Sequence, residues 1–150
     1  MTTQLITPEL VDLNARAKDR SELVRSLAER LRETGRVGDI EQFLSDVEDR
    51  ERQMATGLEG GVGIPHCRST AVSTPSLAFA RSPQGVDFGA SDGPATLIFL
   101  IAAPEGGGEE HMAVLAALAR RLMRAEFKQA LRDATDPAAV AEHISSEVAP

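Results

Sequence analysis

Leu23, Leu27 and Leu31 recur at every fourth position between Asp19 and Glu33, the spacing of one buried helical face. A helix is predicted over 19–33. Asp19 and Glu22 form a capping-box pair that can satisfy backbone N–H groups at its start, and Gly35 offers a left-handed stop. The Asp39/Gln42 pair opens a second helix carrying Ile40, Phe43, Leu44 and Val47 on one face. Its last stretch, residues 48–52, has no apolar stripe and reads as a solvated helix end.

The period then shortens. Four glycines fall within residues 57–63, Val62 and Ile64 alternate with them, and His66 continues their parity, as in a short strand. Pro65 has no ladder donor, so this strand lies at an edge or ends there. Leu77 and Phe79 mark a strand over 76–81, followed by a turn-rich segment over 87–94. Residues 95–102 are apolar apart from Thr96, which predicts a central strand buried on both faces. A glycine-rich loop, 104–108, leads into a helix near 109–124 with His111, Leu115, Leu118 and Leu122 on one face. Glu109 and Glu110 suit its positive end, and Arg120, Arg121 and Arg124 its negative end. Phe127 and Leu131 mark a short helix. Asp136-Pro137 opens the last one, with Val140 and Ile144 facing inward and Val148 next in that series. The pattern predicts an α/β fold, a mixed central β-sheet sandwiched between α-helices in a single domain over 1–144. Residues 145–150 read as the start of a linker or tail.

Composition narrows the function classes. Leu, Ile, Val and Phe supply 36 of 150 residues, enough for a packed core. A net charge of −7 with no Trp or Tyr argues against nucleic acid, which needs a basic surface and stacking aromatics. The single Cys67 excludes an internal disulfide. The wholly apolar runs Leu97 to Ala103 and Met112 to Ala119 have seven and eight residues, against about 20 for a spanning helix, and residues 1–20 lack a signal-peptide pattern. The expectation is a cytoplasmic domain.

Neither G-x-G-x-x-G nor G-K-S/T occurs, so the glycines carry no nucleotide signature. Glu109 and Glu110 would repel a phosphate at the helix start after Gly108. No metal-ligand spacing links the histidines, Cys67 and the carboxylates, and neither a metal nor a cofactor is expected. Of the three histidines, His143 reads as a surface residue beside the Val140/Ile144 stripe. His111, taken alone, reads as a partly buried first-turn residue. His66 stands where packing demands no imidazole. Cys67 next to it cannot easily form a Cys–His pair, because adjacent strand residues point to opposite faces.

The stretch Arg50-Glu51, Ala55-Thr56-Gly57 and Gly61-Val62-Gly63-Ile64-Pro65-His66 resembles the fructose/mannitol-type enzyme IIA domain of the bacterial phosphoenolpyruvate-dependent sugar phosphotransferase system. The resemblance extends along almost the whole chain. It takes in Val86-Asp87-Phe88 with Asp92-Gly93, the strand from Leu97 to Glu105, and the helix from His111 to Ala119. Cys67 replaces a frequent glycine, and Glu59-Gly60 stands where Gly-Asn is common.

The resemblance implies that His66 accepts phosphate from phospho-HPr through Nε2 and passes it to a cysteine of a IIB domain, with the proton of its other nitrogen held by a neighbouring acceptor. It further implies that His111 donates a hydrogen bond to the phosphoryl oxygens, that Arg50 supplies a fixed positive charge, and that Thr56 can donate from its hydroxyl. Glu51 would orient local side chains. The charge state of His111 stays open. The partners it implies are phospho-HPr, the IIB domain and, indirectly, a IIC membrane permease. A permease on the same polypeptide, or associated with it, would tether the domain to the inner face of the membrane. Fructose uptake is the role expected, with a nitrogen-branch regulatory IIA protein as the alternative. A non-catalytic binding module whose histidines sense pH is the reading from another class. Partners must reach His66, which predicts an exposed, partly apolar patch around it, with Leu58 and Val62 as rim candidates.

Overall fold

The apolar run ending at Ala102 becomes the strand on which the sheet is built. The computed structural model describes residues 4–148. In chain order a 3-10 turn at Pro8–Leu10 precedes β1 (Val11–Asp12), α1 (Arg20–Glu33), α2 (Ile40–Gln53), β2 (Gly57–Leu58), β3 (Val62–Gly63), β4 (His66–Ser69), β5 (Ser76–Val86), β6 (Ala95–Pro104), α3 (Gly108–Leu122), α4 (Ala125–Asp133) and α5 (Pro137–Val148). The sheet runs β1-β5-β6-β3-β2, and β4 also pairs with β6. β5 lies antiparallel to β6, whereas β3 and β4 lie parallel to it. The sheet is therefore mixed, and every side chain of β6 from Leu97 to Ala103 is buried, as a strand covered on both faces requires. α1 and α2 pack together and reach β5 and β4, while α3, α4 and α5 group against β6 and β1.

The helix ends follow their local chemistry. The Asp19 carboxylate accepts from the Glu22 N–H at 2.8 Å and Asp39 from the Gln42 N–H at 3.1 Å. Gly35 takes φ +79°, and the N–H groups of Gly35 and Arg36 close back on the carbonyls of Arg32 and Leu31, a paired C-terminal motif that caps otherwise orphaned acceptors. Leu23, Leu27 and Leu31 are buried as their spacing predicts.

Three boundaries differ from the sequence expectation. β5 runs on past Arg81 to Val86 through an irregularity in register, which Gly85 at φ +82° accommodates. α3 stops at Leu122, and α4 follows closely. Residues 145–148, read as the start of a tail, continue α5: Val148 is buried with Val140 and Ile144. The polar triplet Ser145-Ser146-Glu147 is thus part of a last helical turn, and Arg121 Nε donates to the Glu147 carbonyl at 3.2 Å and approaches its carboxylate at 2.8 Å. Ala149 and Pro150 lie outside the described residues. Among the described residues no helix is long and apolar enough to cross a membrane.

Glycine at position 63 is a packing requirement. A Cβ there would lie 2.9 Å from ring atoms of the buried Phe88. Gly63→Ala is expected to destabilise by about 1–3 kcal/mol in urea unfolding. Gly106→Ala, in open space, should stay within about 0.5 kcal/mol of the parent. Equal effects at the two sites would contradict this packing.

Candidate functional site

The site is built on a strand that breaks without losing register. Val62 and Gly63 of β3 pair with Leu97 and Ile98, and His66 and Cys67 of β4 pair with Ile101 and Ala102, so the offset is the same on both sides of Pro65. The Pro65 carbonyl still accepts from the Ile101 N–H at 3.0 Å. Successive backbone groups along a strand point to opposite edges, so those of Ile64 face away from β6. Its N–H donates to the Thr56 carbonyl at 3.1 Å. Its carbonyl accepts from Nδ1 of the His66 ring at 2.8 Å.

That last bond fixes the chemistry of the ring. A carbonyl only accepts, so Nδ1 carries the proton and the lone pair of the neutral imidazole sits on Nε2. Burial pushes the His66 pKa below its ordinary 6.5. The Ile64 bond opposes this shift, Arg50 reinforces it, and Glu51 opposes it. The ring is therefore mostly neutral at pH 7.

His111, in the first turn of α3, stands beside it with ring centroids 5.4 Å apart and planes tilted by 46°. Burial is the main cause that pushes its pKa down to about 4, followed by the charges of His66, Arg68 and Arg50. Its charge state at pH 7 is thus neutral. Nδ1 of His111 is buried with no partner among the described residues. An orphaned buried N–H is rarer than an under-used acceptor, which favours the tautomer with its proton on Nε2. His66 and His111 are only 9% and 6% exposed. Even so, neither Nε2 is among the fully buried unpartnered atoms of the described residues, so both keep an opening to solvent.

The end of α2 supplies the flank. Glu51 is buried, contrary to the reading of residues 48–52 as a solvated end. Its carboxylate accepts from both the backbone N–H and the hydroxyl of Thr56, each at 2.7 Å. The Thr56 hydroxyl proton is thereby committed, and the residue is buried. Its place in the site is as a brace, not as a donor waiting for a ligand. Arg50 is half-buried and donates to the Met54 carbonyl at 3.2 Å. It has no carboxylate partner among the described residues. Cys67 lies on the far face of β4, its thiol pKa pushed up to about 12 by burial and then by Asp46.

The rim differs from its expectation. Val62 is buried in the sheet, and Leu58, 38% exposed, borders a shallow depression with Met123 and Lys128. The exposed apolar groups beside the site are Met54, whose carbonyl holds Arg50, and Met112, next to His111, at 69% and 63%. Arg68 was passed over in the sequence, although it follows His66 by the two-residue period of a strand face. A groove of about 370 Å³ between α1 and α2 is lined by side chains such as Arg20 and Glu48 and touches neither histidine. Among the described residues no group of three or more His, Cys, Asp or Glu could hold a metal.

Residues 4–147 match the family model for the phosphoenolpyruvate-dependent sugar phosphotransferase system, EIIA 2. The chain is 38% identical over 145 residues to a fructose-specific EIIA component from Haloferax volcanii, covering 95% of this chain and 94% of that protein. It is 34% identical over 144 residues to a fructose-specific EIIABC component from Bacillus subtilis, covering 95% of this chain but only 23% of that longer protein. The crystal structure of nitrogen regulatory protein IIA-Ntr from Neisseria meningitidis superposes with a TM-score of 0.84 at 27% identity, over 93% of this chain and 96% of that one.

The histidine titrations test this geometry. By NMR, His111 should titrate near pH 4 and His66 below 6.5. Arg50→Gln removes a positive charge and should raise both midpoints. Because the folded-state values lie below the unfolded ones, the unfolded chain binds more protons in this range. Stability should then be complete above about pH 6.5 and decline as pH falls towards about 4, with a shallower decline in His111→Gln. A His111 midpoint at or above 6.5 would contradict the burial described.

Proposed function

Because the chain belongs to the EIIA 2 family of the phosphoenolpyruvate-dependent sugar phosphotransferase system, we propose that it relays a phosphoryl group on Nε2 of His66, taking it from phospho-HPr and passing it to a cysteine of a IIB domain. The observation that carries this reading is the 2.8 Å bond from Nδ1 to the Ile64 carbonyl, which leaves the lone pair on Nε2. As the P–N bond to His66 forms, the bond to the donor's nitrogen breaks and its electron pair leaves with the donor. In the onward step a thiolate forms the P–S bond and the pair returns to Nε2.

The transition state of such transfers is loose, with charge spread over the phosphoryl oxygens, so the protein contributes position and electrostatics. His111 donates its Nε2 proton to an oxygen and stays a neutral donor throughout. Arg50 supplies permanent positive charge. Glu51 and Thr56 act indirectly, by holding Ile64 and so the ring of His66. Met54 and Met112 give the docking partners apolar contact beside the rings.

Fructose uptake is the role we favour, supported by the names of the two relatives. The EIIABC name of the Bacillus relative also supports IIB and IIC partners, on one chain or on separate ones, and a working place at the inner face of the membrane. A nitrogen-branch regulatory role is the second reading, favoured by the Neisseria structure.

The test is incubation with phosphoenolpyruvate, enzyme I and HPr. An acid-labile adduct should form on the parent protein and be absent from His66→Ala, while His111→Ala should slow labelling by roughly 10²-fold. Undiminished labelling of His66→Ala would overturn the assignment. Discharge onto a fructose-type IIB marks uptake, and failure to discharge marks the regulatory role.

A further inference from the structure

Arg68 follows His66 by two residues on β4, so both side chains leave the same face of the strand. Its guanidinium lies over the first residue of α3, where a Cβ on Gly108 would come within 2.9 Å of Nη1. The residue is exposed. Among the described residues its side chain makes no hydrogen bond or ion pair, although Glu109 and Glu110 stand in the adjoining helical turn. Six of the chain's fourteen arginines, Arg20, Arg25, Arg30, Arg32, Arg52 and Arg121, each face a carboxylate, and Arg36 and Arg81 donate to backbone carbonyls instead. Among the described residues Arg50 and Arg68 are both without a carboxylate and both press on His111, one from the end of α2 and the other from β4. Two uncompensated guanidiniums thus converge on one pair of rings in a chain of net charge −7.

An anion is what this arrangement suits. A phosphoryl group on a side chain brings roughly two negative charges and three acceptor oxygens, more than one arginine and one imidazole N–H can satisfy. The carboxylates of Glu109 and Glu110 would repel such a group at the α3 end of the site, and a cation over Gly108 offsets them. We infer that Arg68 is a further phosphoryl-binding residue, approaching the group on His66 from the α3 side while Arg50 approaches from the α2 side. This inference rests on the relay proposed above.

The experiment compares the parent with Arg68→Gln, Arg68→Lys and Gly108→Ala, using phospho-HPr as donor. Arg68→Gln should slow labelling of His66 by roughly 10–100-fold, shift the ³¹P resonance of the adduct and raise the titration midpoint of His111. Arg68→Lys should restore part of the rate, since it keeps the charge but not the paired donors. Gly108→Ala keeps the arginine but puts a methyl group 2.9 Å from Nη1, so the guanidinium must shift, and should give an intermediate loss. If the parent is not labelled at all, the relay itself fails and this inference with it. If the parent is labelled and Arg68→Gln matches it in rate and ³¹P shift, the inference alone fails. A slower rate with an unchanged ³¹P shift would place Arg68 in partner docking and also overturn it.

Discussion

A run of three hydrogen bonds holds the ring of His66, and the rest of the site is arranged around it. The Glu51 carboxylate takes the Thr56 N–H, the Thr56 carbonyl takes the Ile64 N–H, and the Ile64 carbonyl takes the proton of His66. Each link exists because a polar group with no strand to pair with must find another partner. Pro65 is central to this. It interrupts the strand without shifting its register on β6, and the Ile64 carbonyl is left without a strand partner. A side chain takes the place that a neighbouring strand would fill, and the imidazole is oriented as a result.

Electrostatics complete what the hydrogen bonds begin. Both rings are poor bases for the same leading reason, burial, and nearby arginines push further in that direction. Arg50 and Arg68, with no carboxylate partner among the described residues, both act on His111, so two neutral histidines stand next to a region that attracts anions. Proton binding by the rings is disfavoured where the proposed phosphoryl group would arrive. The two effects share one set of charges.

Much of this was legible in the sequence, for identifiable reasons. The caps at Asp19 and Asp39, the four-residue spacing of leucines in α1 and the continuous apolar run of β6 each depend on local chemistry that the chain displays openly. The pairing of His66 with His111 came from family resemblance, since nothing in composition ties two histidines 45 positions apart. β1 and β2 were not foreseen, because two residues are too few to show a period and their strands exist only by pairing with others. Glu51 and Thr56 were misread in part: a carboxylate in a stripe-free helix end looks solvated until the following loop folds back over it. The tail expectation at Ser145 failed on composition, since small polar residues on the outer face of a helix resemble a linker. Arg68 was missed because an exposed arginine carries no mark in the sequence, and its meaning comes from what α3 brings up to it.

The pleat that puts Arg68 beside His66 also puts Cys67 behind it. Imidazole and thiol are consecutive in the chain, and they are the same two kinds of nucleophile that the proposed relay uses one after the other. Their separation by the thickness of the sheet, with the thiol held in its unreactive protonated form, insulates one from the other. A group loaded on the ring has no internal short circuit to the neighbouring sulfur. In the proposed relay it leaves by the opening at Nε2, into a docked partner.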